Sequence, residues 1–165
     1  EDLPESRKRE IAEFVGVGAV RYNLVRVQAE KRIVFRWEDA LNFEGNSAPF
    51  LQYAHARACS ILRKAGTRTE GDPRLLVHAQ EQLLIRQFAQ FPSAVRDGAA
   101  SRRVHTVATY AADVAGQFNQ FYRDCPVLTA KTPELRAARL DLVAACQVVL
   151  QNALDGLGLH APKEM

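Results

Sequence analysis

Apolar residues recur every three or four positions through most of this 165-residue sequence, and this spacing constrains the fold more than any other feature. Such spacing places apolar side chains on one face of an α-helix. The pattern is clearest between residues 101 and 124, at Val104, Val107, Ala108, Ala111, Val114, Ala115, Phe118, Phe121 and Tyr122. No long segment alternates strictly between apolar and polar residues as a half-buried strand does, so the pattern favours an all-helical protein.

Five segments are predicted to be helices. They cover residues 4 to 29, 47 to 65, 72 to 91, 101 to 124 and 132 to 156. Three of these helices, those that start at residues 47, 72 and 132, begin with a capping serine, aspartate or threonine and a proline in the first turn. Gly66 is expected to end the second helix. Gly16 and Gly18 are expected to mark a bend or the close approach of another helix.

Two shorter pieces complete the picture. Residues 93 to 99 form a further short segment, and residues 32 to 37 are predicted to be an extended connector without a partner strand. The sequence therefore predicts an all-α bundle of five or six helices, with residues 1–165 forming a single domain.

Composition excludes several classes of protein. Hydrophobic residues make up 47% and charged residues 25% of the sequence, as in ordinary globular domains. No apolar run approaches the roughly 20 residues of a membrane span, and the N-terminus does not resemble a signal peptide. We expect a cytoplasmic monomer that does not contact a membrane. Cys59, Cys125 and Cys146 are expected to be reduced thiols, mostly in apolar surroundings.

Motifs that support catalysis or cofactor binding are missing from the sequence. It contains no GxSxG, GxxxxGK[ST] or GxGxxG pattern, and none of its four histidines pairs with a histidine or cysteine at metal-ligand spacing. We therefore expect no catalytic residue, no metal site and no cofactor in this chain. An independent enzyme is the least supported reading.

A cationic segment stands out against the modest net charge of +3. Residues 45 to 69 contain no acidic residue but contain Arg57, Arg63, Lys64 and Arg68, with Tyr53 nearby. One interpretation is a solvated helix whose basic end complements the helix dipole, and composition alone favours it. The other is a surface for single-stranded bases, because aromatic and guanidinium groups together suit bases that project from a loop.

A second cluster lies near residue 120. Phe121 is expected to be core. Phe118 and Tyr122 are one helical turn apart, and either could lie at the rim, with Tyr122 presenting its hydroxyl.

The segment NFEGNSAPFLQYAHARACSILRKAG resembles the signature of the C-terminal, anticodon-binding DALR domain of arginyl-tRNA synthetases. The segments VGVGAVRYNLV, FNQFYRDCPVL and RLDLVAACQVVLQNALDGLGLHAPKEM are similar to the same family in the same order, so the resemblance covers about residues 11 to 165. The resemblance implies an all-α domain that binds the anticodon stem and loop. It also implies that this domain is a detached part of a class I ligase that charges tRNA with arginine. The HIGH-like and KMSKS-like motifs of the catalytic domain do not occur here.

The resemblance also implies a set of site residues. Tyr53 matches an aromatic that contacts a flipped anticodon base, and Arg57 and Arg63 match arginines of the same pocket. Met165 matches the family's terminal residue, which lies against the loop nucleotides. Tyr122 or Phe118 matches an aromatic near the anticodon loop. With Lys64 added from the cationic segment, the candidate RNA-binding residues are Tyr53, Arg57, Arg63, Lys64, Phe118, Tyr122 and Met165. Phe50 stands where the family usually has tyrosine, so that hydroxyl is lost.

The resemblance implies partners as well. They are an arginine tRNA and the catalytic domain of the same synthetase, and the whole enzyme would use ATP with magnesium. Because arginine codons have G in the middle, the middle anticodon base is always C, and a pocket for cytosine is expected. The alternative is a structural docking module without independent RNA binding, which an exposed apolar patch on the first helix would support.

Overall fold

In the computed structural model, which describes residues 3–165, helices form all of the regular structure. Six helices have eleven residues or more, and a four-residue helix and a 3-10 turn add to them. In chain order the elements are α1 (Glu5–Val25), α2 (Trp37–Ala40), α3 (Ala48–Ala65), the 3-10 turn (Pro73–Leu75), α4 (Ala79–Ala89), α5 (Phe91–Ser101), α6 (Val104–Asp124) and α7 (Pro133–Gly156). The predicted all-α class is confirmed, and no strand occurs in residues 3–165.

Helices α3 and α7 begin and end where the sequence predicts. The Ser47 hydroxyl accepts a hydrogen bond from the Phe50 N–H at 3.2 Å, and the Thr132 hydroxyl accepts one from the Leu135 N–H at 3.2 Å. Gly66 follows α3 with φ at 68°, a left-handed value that glycine adopts without a steric penalty. Local capping chemistry therefore sets these helix ends.

Other boundaries differ from the prediction. Helix α1 ends at Val25 rather than near residue 29, because the mostly exposed residues 26–36 have no core surface to pack against. Residues 72 to 91 do not form one helix, since α4 starts only at Ala79. The Glu81 carboxylate accepts the His78 N–H at 2.8 Å there and completes a capping box.

Pro92 begins a helix instead of ending one. It lies in the first turn of α5, where its missing N–H costs nothing. Helix α5 extends to Ser101, and α6 starts at Val104 rather than at Ser101. Between them Arg102 has φ at 55°, a left-handed conformation that separates the two helices.

The core lies where α3, α6 and α7 meet, with α1 against α3, and α4 and α5 against α6. Its largest fully buried apolar side chains are Tyr22, Leu51, Leu84, Val114, Phe118, Phe121, Leu140, Leu150 and Leu154. Gly18 marks the close approach of α1 to α3 that the sequence predicts: a Cβ there would lie 3.2 Å from Gln52 Nε2. Gly16 has nothing within 4 Å and marks no such contact.

Two further findings concern membrane-spanning helices and the cysteine side chains. Among residues 3–165, no helix combines the length and the apolar character needed to cross a membrane. All three cysteines are free thiols, and Cys125 and Cys146 are buried as predicted.

Candidate nucleic-acid interface

A cavity of about 720 Å³ opens between α3, the end of α6, the loop after α6 and the C-terminal tail. Six of the seven candidate RNA-binding residues line it: Tyr53, Arg57, Arg63, Lys64, Tyr122 and Met165. Residues from three separate parts of the chain, 53–64, 122–129 and 163–165, thus meet at one surface. Their contact with RNA stays a prediction.

Arg57 lies at the centre of this group. Its guanidinium carbon is 4.7 Å from the centre of the Tyr53 ring and 5.0 Å from the centre of the Tyr122 ring. Its Nη1 also donates to Asn119 Oδ1 at 2.6 Å. A cation near two aromatic faces is held by the ring quadrupoles and by this hydrogen bond. The side chain is therefore fixed before any ligand arrives.

The two aromatic rings are accessible. Tyr53 is 39% exposed and Tyr122 is 44% exposed, although both belong to helices that bury one face in the core. Each ring keeps surface on which a planar base could stack. Phe43 extends the aromatic surface beyond the cavity, with its ring centre 6.2 Å from that of Tyr53 in an edge-on arrangement.

Phe118 is a correction to the predicted site. Its side chain is 0% exposed and packs beside Phe121 within the core. Phe118 is one turn before Tyr122 on α6, where α6 is still covered by its neighbours, so its ring has no surface that RNA could reach. Between these two candidates for the rim, Tyr122 occupies it.

The cavity is strongly cationic. Five of its lining residues are basic and one, Glu164, is acidic; the basic residues are Arg57, Arg63, Lys64, Arg123 and Lys163. Glu164 accepts a hydrogen bond from Arg7 Nε at 2.8 Å and lies 3.9 Å from Arg63 Nη1. No acidic side chain among the described residues pairs with Arg57 or Lys64, so their charge remains available to a polyanion.

The C-terminal tail reaches the cavity because buried polar residues of α3 hold it. Gln52 Nε2 donates to the His160 carbonyl at 3.0 Å, and His55 Nδ1 lies 2.9 Å from the Pro162 carbonyl. Burial lowers the pKa of His55, which favours the neutral ring with its proton on Nδ1, since a carbonyl can only accept. Gln147 Nε2 lies 3.4 Å from the other ring nitrogen of His55, Nε2.

These contacts change the interpretation of the residues around Tyr53. Asn46, Gln52 and His55 also bring hydrogen-bonding groups to the start of the cationic segment, but Gln52 and His55 are fully buried. Asn46 instead hydrogen-bonds to the Tyr22 hydroxyl. Their role is to hold the tail and α1 in place, while Tyr53 alone of this group faces the cavity.

Sequence reasoning did not identify several lining residues. Lys163 and Glu164 line the cavity directly, and the loop of residues 126–129 forms one wall. A signal existed for the tail, because Lys163 and Glu164 stand next to Met165. For the loop, the signal was the family-like segment FNQFYRDCPVL, which ends in Pro126, Val127 and Leu128. No group of three potential metal ligands occurs in residues 3–165.

Fold and site together define an all-helical domain with a cationic, aromatic cavity, a surface type that suits nucleic acid. The chain belongs to the DALR anticodon binding domain family, whose model matches residues 51–165. This finding confirms the resemblance.

Individual relatives agree with the family assignment. The chain is 50% identical over 164 residues to the arginine–tRNA ligase of Methanosarcina mazei, covering 96% of this chain and 29% of the relative. It is 48% identical over 166 residues to that of Haloarcula marismortui, covering 99% and 28%. Arginyl-tRNA synthetase of Thermus thermophilus has a similar structure, with a TM-score of 0.93 and 40% identity over 99% of this chain and 28% of that one. The chain thus spans less than a third of these proteins.

Proposed function

We propose that this chain binds the anticodon stem-loop of an arginine tRNA and that its cavity accepts the middle anticodon base, a cytosine. The observation that carries the proposal is the position of Arg57 between the exposed rings of Tyr53 and Tyr122, within a cationic cavity. A base that projects from the loop would stack on these rings, and each such contact contributes about 1–3 kcal/mol.

Hydrogen bonds would supply the selectivity for cytosine. Cytosine presents acceptors at O2 and N3 and a donor at N4. Arg57 and Lys163 supply donors in the cavity, and the Glu164 carboxylate supplies an acceptor for an amino group. Uracil carries a carbonyl where cytosine carries its amino group. Uracil would therefore place this carbonyl oxygen, an acceptor, against the Glu164 carboxylate, which is also an acceptor.

Phosphate groups would be held at the edge of the cavity. Arg63 and Lys64 lie in the last turn of α3, and both side chains are exposed. Contacts of this kind position the RNA without reading its sequence. They also make binding weaker at high salt, because each neutralised phosphate releases counterions.

For the longer protein we propose ATP-dependent arginylation of tRNA, with magnesium bound alongside ATP in a catalytic domain outside this chain. The present chain would contribute anticodon binding and no chemistry. This extension rests on the similarity to arginine–tRNA ligases over 28–29% of their length.

An alternative function, docking onto another domain, has an observation of its own. Val17, Val20 and Leu24 on α1 are exposed, and so are the apolar residues between α1 and α3, namely Ile33, Val34, Phe35, Trp37, Leu41 and Phe43. Patches of this kind commonly mark interfaces. The catalytic domain of the same synthetase is the partner we propose for this surface.

The proposal is tested by titrating the chain with a fluorescent arginine anticodon stem-loop and with the same RNA carrying uracil at the middle position. We expect tighter binding of the cytosine RNA. Binding should weaken as salt rises, and Arg63→Ala should lower the slope of log K against log salt by about 1. Arg96→Ala, which removes the same charge from α5 outside the cavity, is the control.

Two results would contradict the proposal. Equal affinity for the two RNAs would contradict the proposal that the cavity recognises the middle cytosine. Absence of salt-dependent binding to either RNA, in a chain with an intact helical far-UV signal, would favour the docking module.

A further inference from the structure

A buried ion pair joins α4 and α7 beside the cavity. Arg139 Nε donates to Glu81 Oε1 at 2.7 Å, and the two side chains are 11% and 1% exposed respectively. Burying such a pair commonly contributes little to stability, because desolvation offsets the attraction between the charges. Its position next to the candidate site suggests a different role.

The remaining polar atoms of the pair hold a particular piece of backbone. Arg139 Nη1 donates to the Pro126 carbonyl at 2.7 Å, and Glu81 Oε2 accepts the His78 N–H at 2.8 Å. Cys125 Sγ lies 3.3 Å from His78 Nδ1. The start of α4, the second turn of α7 and the first residues after α6 are therefore joined at one point.

The tied backbone forms a wall of the cavity. Residues 126–129 line it, and the Val127 side chain is anchored in the core. Next to this anchor, Leu128 and Thr129 are exposed, and no described residue accepts a hydrogen bond from their backbone N–H groups. Amide N–H groups that have no protein acceptor, on residues that line this cavity, can donate to the acceptor edge of a base.

We propose that Arg139, held by Glu81, is a positioning residue for base discrimination. Through the Pro126 carbonyl it fixes residues 126–129, so that the free N–H groups of Leu128 and Thr129 are available to the O2 and N3 acceptors of the bound base. This inference rests on the proposed function and extends it from side chains to a backbone wall. Arg139 itself does not contact the RNA.

The test compares Arg139→Lys with Arg136→Lys. Arg139→Lys keeps a positive charge beside Glu81. The lysine ammonium lacks the planar guanidinium group, which donates to the Glu81 carboxylate and to the Pro126 carbonyl at the same time. Arg136 is the matched control, because it lies one turn earlier on α7 and its Nη2 donates to the Ala65 carbonyl at 3.1 Å, which does not line the cavity.

We expect Arg139→Lys to lower the ratio of affinities for the cytosine and uracil RNAs by about 3- to 10-fold, the value of one lost hydrogen bond. The salt slope should not change, since the phosphate contacts of Arg63 and Lys64 remain. Arg136→Lys should change neither quantity. An unchanged ratio in folded Arg139→Lys, or an equal loss of affinity for both RNAs, would overturn the inference and leave the proposed function standing.

A measurement on the unmodified chain covers the case in which Arg139→Lys does not fold. In amide NMR spectra, the Leu128 and Thr129 signals should shift when the cytosine RNA is added, and less with the uracil RNA. Binding of the cytosine RNA without movement of these two signals would contradict the inference alone. Absence of binding by the unmodified chain would contradict the proposed function and this inference with it.

Discussion

Arg57 on α3 donates a hydrogen bond of 2.6 Å to Asn119 on α6, joining residues that are 62 positions apart in the chain. The bond sets the guanidinium group between the rings of Tyr53 and Tyr122. A surface arginine that is held in this way loses little conformational entropy on binding a ligand. Arg57 thus contributes a pre-organised cation to the cavity, which a freely moving lysine or arginine would not.

Arg57→Lys should therefore weaken binding of the arginine stem-loop although it keeps the charge. Lysine lacks the planar group that stacks on the rings and meets Asn119. We expect a loss of roughly 10-fold in affinity with an unchanged salt slope. Fluorescence anisotropy at several salt concentrations measures both quantities. Arg96→Lys on α5 is the control, and equal affinities for the two variants would show that Arg57 acts only through its charge.

Removal of residues 163–165 should leave the fold intact and weaken RNA binding. The deletion removes Lys163, Glu164 and Met165 from the cavity but keeps the Pro162 carbonyl that His55 holds. We expect roughly 10-fold weaker binding and a melting temperature within a few degrees of the unmodified chain. Unchanged affinity of the shortened chain would exclude the tail from the site.

Stability should fall as the pH drops below about 6.5, the usual pKa of histidine. The folded pKa of His55 lies below this value because burial disfavours the charged ring. The unfolded chain therefore takes up a proton that the folded chain resists, so the free energy of unfolding decreases from about pH 6.5 down through the folded pKa. Above pH 6.5 His55 should contribute no slope.

Thermal melts between pH 7.5 and 5.5 check this dependence. His55→Asn should flatten it, because an asparagine amide keeps a donor for the Pro162 carbonyl and does not titrate. His105→Asn on α6 is the control. If the slope survives in His55→Asn, other groups cause it.

Gly71→Ala should destabilise the fold by about 1–3 kcal/mol or more. A Cβ at residue 71 would lie 2.3 Å from backbone atoms of Ala138 on α7, and the Gly71 N–H donates to Asp141 Oδ2 at 2.8 Å. Any side chain would push the loop off α7. Urea denaturation measures the change.

Gly116→Ala is the matched control for this substitution. Gly116 lies inside α6, and its Cβ would meet nothing within 4 Å. Alanine there should be neutral or stabilising by up to about 1 kcal/mol. Similar effects at both glycines would contradict the close approach seen at Gly71.

Local signals predicted the helix ends well where a cap and a glycine or proline coincide. Ser47 with Gly66 and Thr132 with Pro133 are examples, because each boundary depends on a few neighbouring residues. The prediction failed at the start of α4, where the cap is the histidine His78 and the carboxylate that completes it, Glu81, is paired with Arg139 on α7. That boundary depends on a distant residue.

In the candidate site, too, some residues could be predicted from the sequence and others depended on the packing of the helices. Tyr53, Arg57, Arg63 and Lys64 follow one another on α3, so their charge and aromatic character are visible in the sequence. Phe118 and Tyr122 are four residues apart and point to nearly the same side of α6. Periodicity cannot say which of them is buried, because that depends on how far the neighbouring helices extend along α6.

The sequence by itself determined the all-α class, the ends of α3 and α7, the cationic segment and the family, since each depends on residue type and spacing along the chain. Only the tertiary structure decided that Tyr122 lies at the rim and Phe118 in the core, that the tail enters the cavity, and that Arg139 holds the Pro126 carbonyl. The physical reason is that helical periodicity defines a face but not what packs against it. Contacts between residues far apart in the chain arise only when the helices come together.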